Sequence, residues 1–278
     1  MQFELLTLFF IIVIVLVIGI LANIGGFGGG IILIPILHLL FGIPLKIVIG
    51  TVLSSLFLPA LFGVILASRR NEINYKVGLI IEAPTVVGVF IGNAISNFFS
   101  EFQLKVTFGI VALSVAILML RKSIHYSKET DSTKKPFWYG ITQLPPMLHE
   151  KADTYEYSVS IPFAIMAGLF IGILAGLLGV AGGWLKAPMM VIGFSIPPVI
   201  ASGTALFMIL ITSFTGGILK IVGSDWDLQL FLVLTLTLSA GSIIGDRFKS
   251  RMNAQQISLV LSVLLLVVSI FTLIDAFV

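Results

Sequence analysis

The chain has no cysteine, three histidines and few charges, with Asp, Glu, Lys and Arg together making 10% of its 278 residues. Without thiols there are no disulfides, thiolate metal sites or cysteine nucleophiles, and the sequence predicts neither a metal nor a cofactor. So little charge excludes an ordinary soluble domain, in which about 25% of residues are charged. The formal net charge is only +3 and the basic residues sit mainly in loops, so there is no footprint for nucleic acid. The first apolar run lacks a basic leader, its only early charge being Glu4, and it reads as a membrane helix rather than a cleaved signal.

What the chain does have is apolar surface. Hydrophobic residues make up 58% of it, in runs of about 20 residues, the length that crosses a bilayer's hydrocarbon core. Five runs, about 3–22, 28–45, 47–68, 77–98 and 103–121, precede a polar stretch with several lysines and aromatics. Five more follow, about 159–178, 181–197, 199–222, 228–248 and 254–275. The expected division is a first transmembrane repeat over 1–121, a cytoplasmic linker over 122–158, and a second transmembrane repeat over 159–278.

A glycine-rich break in a hydrophobic helix occurs twice. GILANIGGFGGGIILIP runs from Gly19 to Pro35 and GILAGLLGVAGGWLKAP from Gly172 to Pro188; 172 − 19 and 188 − 35 both give 153. The same offset pairs Pro44 with Pro197, Gly50-Thr51 with Gly203-Thr204, Gly63 with Gly216, Gly88 with Gly241 and Gly92 with Gly245. Glycine and proline matches in fixed register over so long a stretch mark an internal duplication.

Loop charges orient the two copies. Arg69, Arg70 and Lys76 follow the third run of the first half, whereas the equivalent loop holds Asp225 and Asp227. After the fourth run the first half has Glu101 and Lys105, the second Arg247, Lys249 and Arg251. Basic loops face the cytoplasm, so equivalent loops face opposite sides and five crossings per half invert the second copy. The expected fold is an all-α polytopic membrane protein of two inverted five-segment repeats with glycine-broken helices. Ten crossings then leave both termini outside and the linker inside.

Broken helices in inverted repeats suit transport, because half-helix N-termini offer free N–H groups and a positive dipole end to an anion. The cradle residues are Gly26, Gly28, Gly29 and Gly30 in the first break and Gly179, Gly182 and Gly183 in the second. Thr51, Ser54, Ser202 and Thr204 bring short hydroxyl donors, although such side chains often bond their own backbone instead. Isolated Gly88/Gly92 and Gly241/Gly245 read as helix-packing positions. An ionisable group in an apolar run costs about 2.5–3.5 kcal/mol at a helix centre. Lys186 stands within the second motif where the first has Leu33, and suits an anionic substrate. Glu82, whose counterpart is Thr235, can pair with Lys186 or take up a proton. His38 is a further titrating candidate.

The duplicated G-x-x-G-G-x-x-x-x-P core is carried by Gly26–Pro35 and Gly179–Pro188. It is followed by Ile43-Pro44 and Gly50-Thr51, then Ile196-Pro197 and Gly203-Thr204. This pattern resembles the sulfite exporter TauE/SafE family, also called the four-toluene sulfonate uptake permease family. The resemblance spans nearly the whole chain apart from the linker. It implies a membrane permease for sulfite, sulfonates such as sulfoacetate, or related small anions. Lys186 departs from the usual apolar residue there, and the linker is longer and more aromatic than a minimal hinge. The sequence therefore predicts a secondary transporter, read as an exporter, for a small sulfur-containing anion. A passive anion channel and a membrane-embedded lipid-phosphate enzyme are the competing readings. The enzyme would call for a cluster of intramembrane acids or arginines, which the runs lack.

Overall fold

The computed structural model describes residues 5–95, 98, 100–125, 144–152, 155–178, 182–222 and 226–277. The first-half helices are α1 (Leu5–Gly25), α2 (Gly30–Phe41), α3 (Leu45–Ser55), α4 (Phe57–Arg69), α5 (Tyr75–Ile95) and α6 (Glu101–His125). An antiparallel hairpin of β1 (Met147–Ala152) and β2 (Tyr155–Ser160) follows. The second half contains α7 (Ile161–Leu178), α8 (Gly183–Phe194), α9 (Pro198–Val222), α10 (Leu228–Lys249) and α11 (Ala254–Phe277). The protein is an all-α polytopic membrane protein. Among the described residues, six stretches are long and apolar enough to cross a bilayer: α1, α3 with α4 over 46–69, α5, most of α9, α10 and most of α11.

Two of the ten expected segments hold helices shorter than the hydrocarbon core is thick. α2 and α8 have 12 residues each, about 18 Å against the roughly 30 Å hydrocarbon core. The glycine break sets where each begins. Gly29 (φ 78°) and Gly182 (φ 65°) precede their first turns in left-handed conformation, which a side chain adopts only under strain. Each half-helix runs through its internal proline, Pro35 or Pro188, and ends at a left-handed residue, Gly42 in α2 and Ser195 in α8.

The halves exchange helices rather than standing side by side. α1 packs on α10, α5 on α7, α6 on α11, and α3–α4 on α9. Missing side chains allow the closest approaches. A Cβ at Gly88 would lie 2.4 Å from the Leu169 carbonyl oxygen, and one at Gly241 2.8 Å from that of Leu16. Adding 153 to 16 and 88 gives 169 and 241, so these are one contact made twice. Hydrogen bonds repeat the exchange. The Asn74 N–H donates to Thr204 Oγ1 at 3.0 Å and the Asp227 N–H to Thr51 Oγ1 at 3.1 Å, and 153 again relates 74 to 227 and 51 to 204. Asn74 and Asp227 also cap equivalent helices, accepting from the N–H groups of Val77 and Leu230 at 3.0 and 2.8 Å.

Helix directions follow from the same contacts. α6 and α11, counterparts by sequence, lie antiparallel: Phe102 meets Phe277, Lys105 pairs with Asp275 at 2.9 Å, and Gly109 faces Leu273. α10 starts beside Thr51, early in α3, and finishes beside Arg70, just past α4. α9, the counterpart of α3–α4, instead begins near that last end, where Thr204 meets Asn74.

Of the stretch expected to be a linker, residues 122–125 continue α6, and residues 144–152 and 155–158 are also described. Its last residues form the hairpin, which packs on α7 and α8. Tyr157 and Val159 are buried in the helical core. Asn74 Nδ2 donates to the Tyr157 hydroxyl at 2.9 Å and to Glu150 at 3.3 Å, and Lys76 pairs with Glu150 at 3.2 Å. Burial pushes the Tyr157 hydroxyl above its usual range and keeps it neutral.

Candidate functional site at the glycine breaks

The two breaks touch. A Cβ on Gly183 would come within 2.9 Å of the Phe27 carbonyl oxygen, and Ile209 Cδ1 lies between Gly28 and Gly183. α2 and α8 therefore begin close together, and neither first turn has a side-chain cap. Uncapped first-turn N–H groups and the helix dipole make such an end attractive to negative charge. Gly26 packs on the backbone of Ser202, a Cβ there falling 2.4 Å from its carbonyl oxygen, and Gly30 faces Leu56 and Val52. Gly179 lies outside the described residues.

Lys186 is the fourth residue of α8 and is fully buried. Its Nζ lies 2.6 Å from Glu82 Oε2, on α5, and donates to Thr212 Oγ1, on α9, at 2.7 Å. Thr212 in turn has Glu82 Oε1 within hydrogen-bond reach, and the Met208 carbonyl at 3.0 Å. Three helices thus deliver one ammonium, one carboxylate and one hydroxyl to a site with Lys186 at 0% and Glu82 at 1% exposure. An ammonium in the first turn of a helix has the wrong sign for the dipole, so the location is electropositive beyond the single charge. Glu82 balances it as the structure stands. Breaking such a buried pair from one side costs about 3–5 kcal/mol, whereas replacing both members with apolar groups is often neutral.

The remaining sequence candidates sit apart from this trio. Thr51 and Thr204 receive backbone N–H groups from the opposite half, as above. Ser54 donates into its own helix, to Gly50 at 2.9 Å and Thr51 at 3.0 Å, and Ser202 does the same to Val199 at 2.9 Å. His38 Nδ1 donates to the Ile43 carbonyl at 2.8 Å and ties down the end of α2. Thr212 is the member the sequence did not single out. Threonine is common in membrane helices, and only its counterpart, Pro59, hints that the position is unusual.

A second charged group closes one end of the bundle. Arg70 grips the carboxylate of Asp246 with both terminal nitrogens, one at 2.8 Å, and reaches Glu72 through Nε at 2.7 Å. Lys249 adds a contact to Glu72 at 3.1 Å. The hydrogen bond to Asp246 raises the Arg70 guanidinium above its ordinary value despite its partial burial. The network joins the α4–α5 turn of the first half to the end of α10 in the second.

Comparison with known proteins gives a consistent result. The sequence profile described as sulfite exporter TauE/SafE matches residues 11–272. The probable membrane transporter protein YunE of Bacillus subtilis is 24% identical, over 93% of this chain and 94% of its own. A probable membrane transporter protein of Methanocaldococcus jannaschii is 27% identical over 98% of both chains. A third relative, YdhB of Bacillus subtilis, also a probable membrane transporter protein, is 27% identical over 87% of this chain and 90% of its own. No solved structure matches significantly.

Proposed function

Because this chain belongs to the sulfite exporter TauE/SafE family, we propose that it is a secondary transporter moving a small sulfur-containing anion, such as sulfite or a sulfonate, across the cell membrane. It works by alternating access, with a proton as co-substrate. The observation that carries this reading is the buried Lys186–Thr212–Glu82 trio at the start of α8, beside the meeting point of the two breaks.

Charge balance gives the mechanism. With Glu82 ionised the pair is neutral, and an anion added to it would leave an uncompensated buried negative charge, which is strongly disfavoured. A proton on Glu82 frees the Lys186 ammonium to hold the anion, helped by the Thr212 hydroxyl and the uncapped turns. The loaded site is then neutral again, and anion and proton bind together. The combined gradients set the direction of flux, and export follows when the anion is concentrated inside.

The halves are inverted repeats. The antiparallel α6–α11 pair and the opposite directions of α3–α4 and α9 support this. The basic residues Arg69, Arg70, Lys76, Arg247, Lys249 and Arg251 lie in or beside elements that gather at one end, which the preference for basic cytoplasmic loops makes the inside. The hairpin and the Arg70 network then close the cytoplasmic side, and both termini lie outside.

Linkage supplies the test. Binding of methanesulfonate, a monoanion with no group that titrates near neutral pH, to detergent-purified protein in weakly buffered solution takes up about one proton per anion. Saturable binding without proton uptake would contradict the coupling.

A further inference from the structure

The two halves clasp each other at both ends of the bundle, through hydroxyls that the offset of 153 makes equivalent. At one end the α4–α5 turn lies across the start of α9. There the Asn74 N–H donates to Thr204 Oγ1 at 3.0 Å, and a Cβ on Gly203 would fall 2.3 Å from the Glu72 carbonyl oxygen. At the other end Asp227, just before α10, donates its N–H to Thr51 Oγ1 on α3 at 3.1 Å. Each bond holds a loop of one half against a helix start of the other.

The first clasp carries an ion network as well. Arg70 bridges Asp246, 2.8 Å from Nη1, and Glu72, 2.7 Å from Nε, and Lys249 Nζ stands 3.1 Å from Glu72. Asp246 and Lys249 are buried, and Arg70 and Glu72 are half-buried. Bidentate pairs joined in a network are the ones that hold, and burial protects them from screening by salt. The counterparts of Arg70, Glu72, Asp246 and Lys249 are Gly223, Asp225, Asn93 and Ser96. One carboxylate and no cation stand at those four positions, so the same network cannot form there. Lys105 and Asp275, paired at 2.9 Å, join α6 to α11 rather than the loop to α3.

We propose that the Arg70–Asp246–Glu72–Lys249 network is a bolt on one of two equivalent clasps, and that it biases the unloaded protein. The α4–α5 turn parts from α9 and the end of α10 only when the ion pairs break, so the bundle loosens first at the Thr51 end. Thr51 and Thr204 then belong to the clasps and not to the anion site. In a transport cycle the bolted clasp is the harder one to open; that consequence rests on the alternating-access reading, whereas the bias does not.

Hydrogen exchange of the detergent-purified protein without anion tests the bias. The amides of residues 201–206, at the start of α9, are compared with those of their counterparts 48–53, at the start of α3, as protection factors. Protection is expected to be greater over 201–206 by about tenfold or more. Arg70→Gln and Asp246→Asn should each bring 201–206 down toward the value of 48–53 and leave 48–53 unchanged. Equal protection at the two starts of the natural chain overturns the proposal, and that comparison stands even where a variant fails to fold. A variant that speeds exchange at both starts alike gives the network a general stabilising role only, which also overturns it. Proteoliposome flux separates the two readings: unequal protection without flux leaves the bolt and removes the transporter, and flux with equal protection does the reverse.

Discussion

Lys186 sits where a helix end already carries partial positive charge, and Glu82 sits where an apolar run offers nothing else to hold a carboxylate. Each is costly alone, and together they are neutral. Single replacements, Lys186→Leu or Glu82→Gln, should therefore lower stability, by as much as about 3–5 kcal/mol where a charge is left unpaired. The double replacement should recover most of that loss, because no buried charge remains. On the proposed role of Lys186, anion binding should be lost in Lys186→Leu and in the double variant but kept in Glu82→Gln, which mimics the protonated carboxyl. Melting temperatures and sulfoacetate affinities of the three variants check this; a double variant that binds normally would make the pair structural only. These two residues were legible in the sequence because charge is rare in apolar runs. Thr212 was not, because a threonine costs a membrane helix little and leaves no compositional mark.

The helical elements owe their positions to what their sequences leave out. Glycines let α5 approach α7 and α1 approach α10 until backbone meets backbone. A Cβ at Gly172 would fall 2.1 Å from the Thr85 carbonyl oxygen. The offset of 153 revealed which helices were equivalent, but pairing between the halves needed three-dimensional contacts. The apolar runs 28–45 and 181–197 extend beyond α2 and α8, which start at the glycine break and stop before the left-handed Gly42 and Ser195. The hairpin was read as polar linker because His149, Glu150 and Lys151 mask the alternation of Tyr155, Tyr157 and Val159. Helix direction is open to direct test in a chain with no native thiol. Glu101→Cys, at the start of α6, and Arg247→Cys, near the end of α10, should react with a membrane-impermeant maleimide from opposite sides. Labelling of both from one side would remove the inverted arrangement.

At the scale of the whole molecule, two copies of one unit differ at the place of the buried trio. One copy carries a fixed ammonium with its carboxylate, the other neither. Duplication explains the shared scaffold, in which each half caps and packs the other. Divergence leaves the trio in one copy only, its counterparts being Leu33, Thr235 and Pro59. The trio is fully buried, and the Arg70–Asp246–Glu72–Lys249 network lies at the end of the bundle where the basic residues gather. The proposed cycle must open a path to the buried trio and load a proton with the anion. The most direct test is flux of radiolabelled sulfite or sulfoacetate in proteoliposomes, with and without an imposed pH gradient. The account predicts saturable flux that the proton gradient accelerates and that Lys186→Leu abolishes. Linear, conductive flux indifferent to the gradient would make the protein a channel, and absence of flux with release of phosphate from lipid would contradict transport altogether.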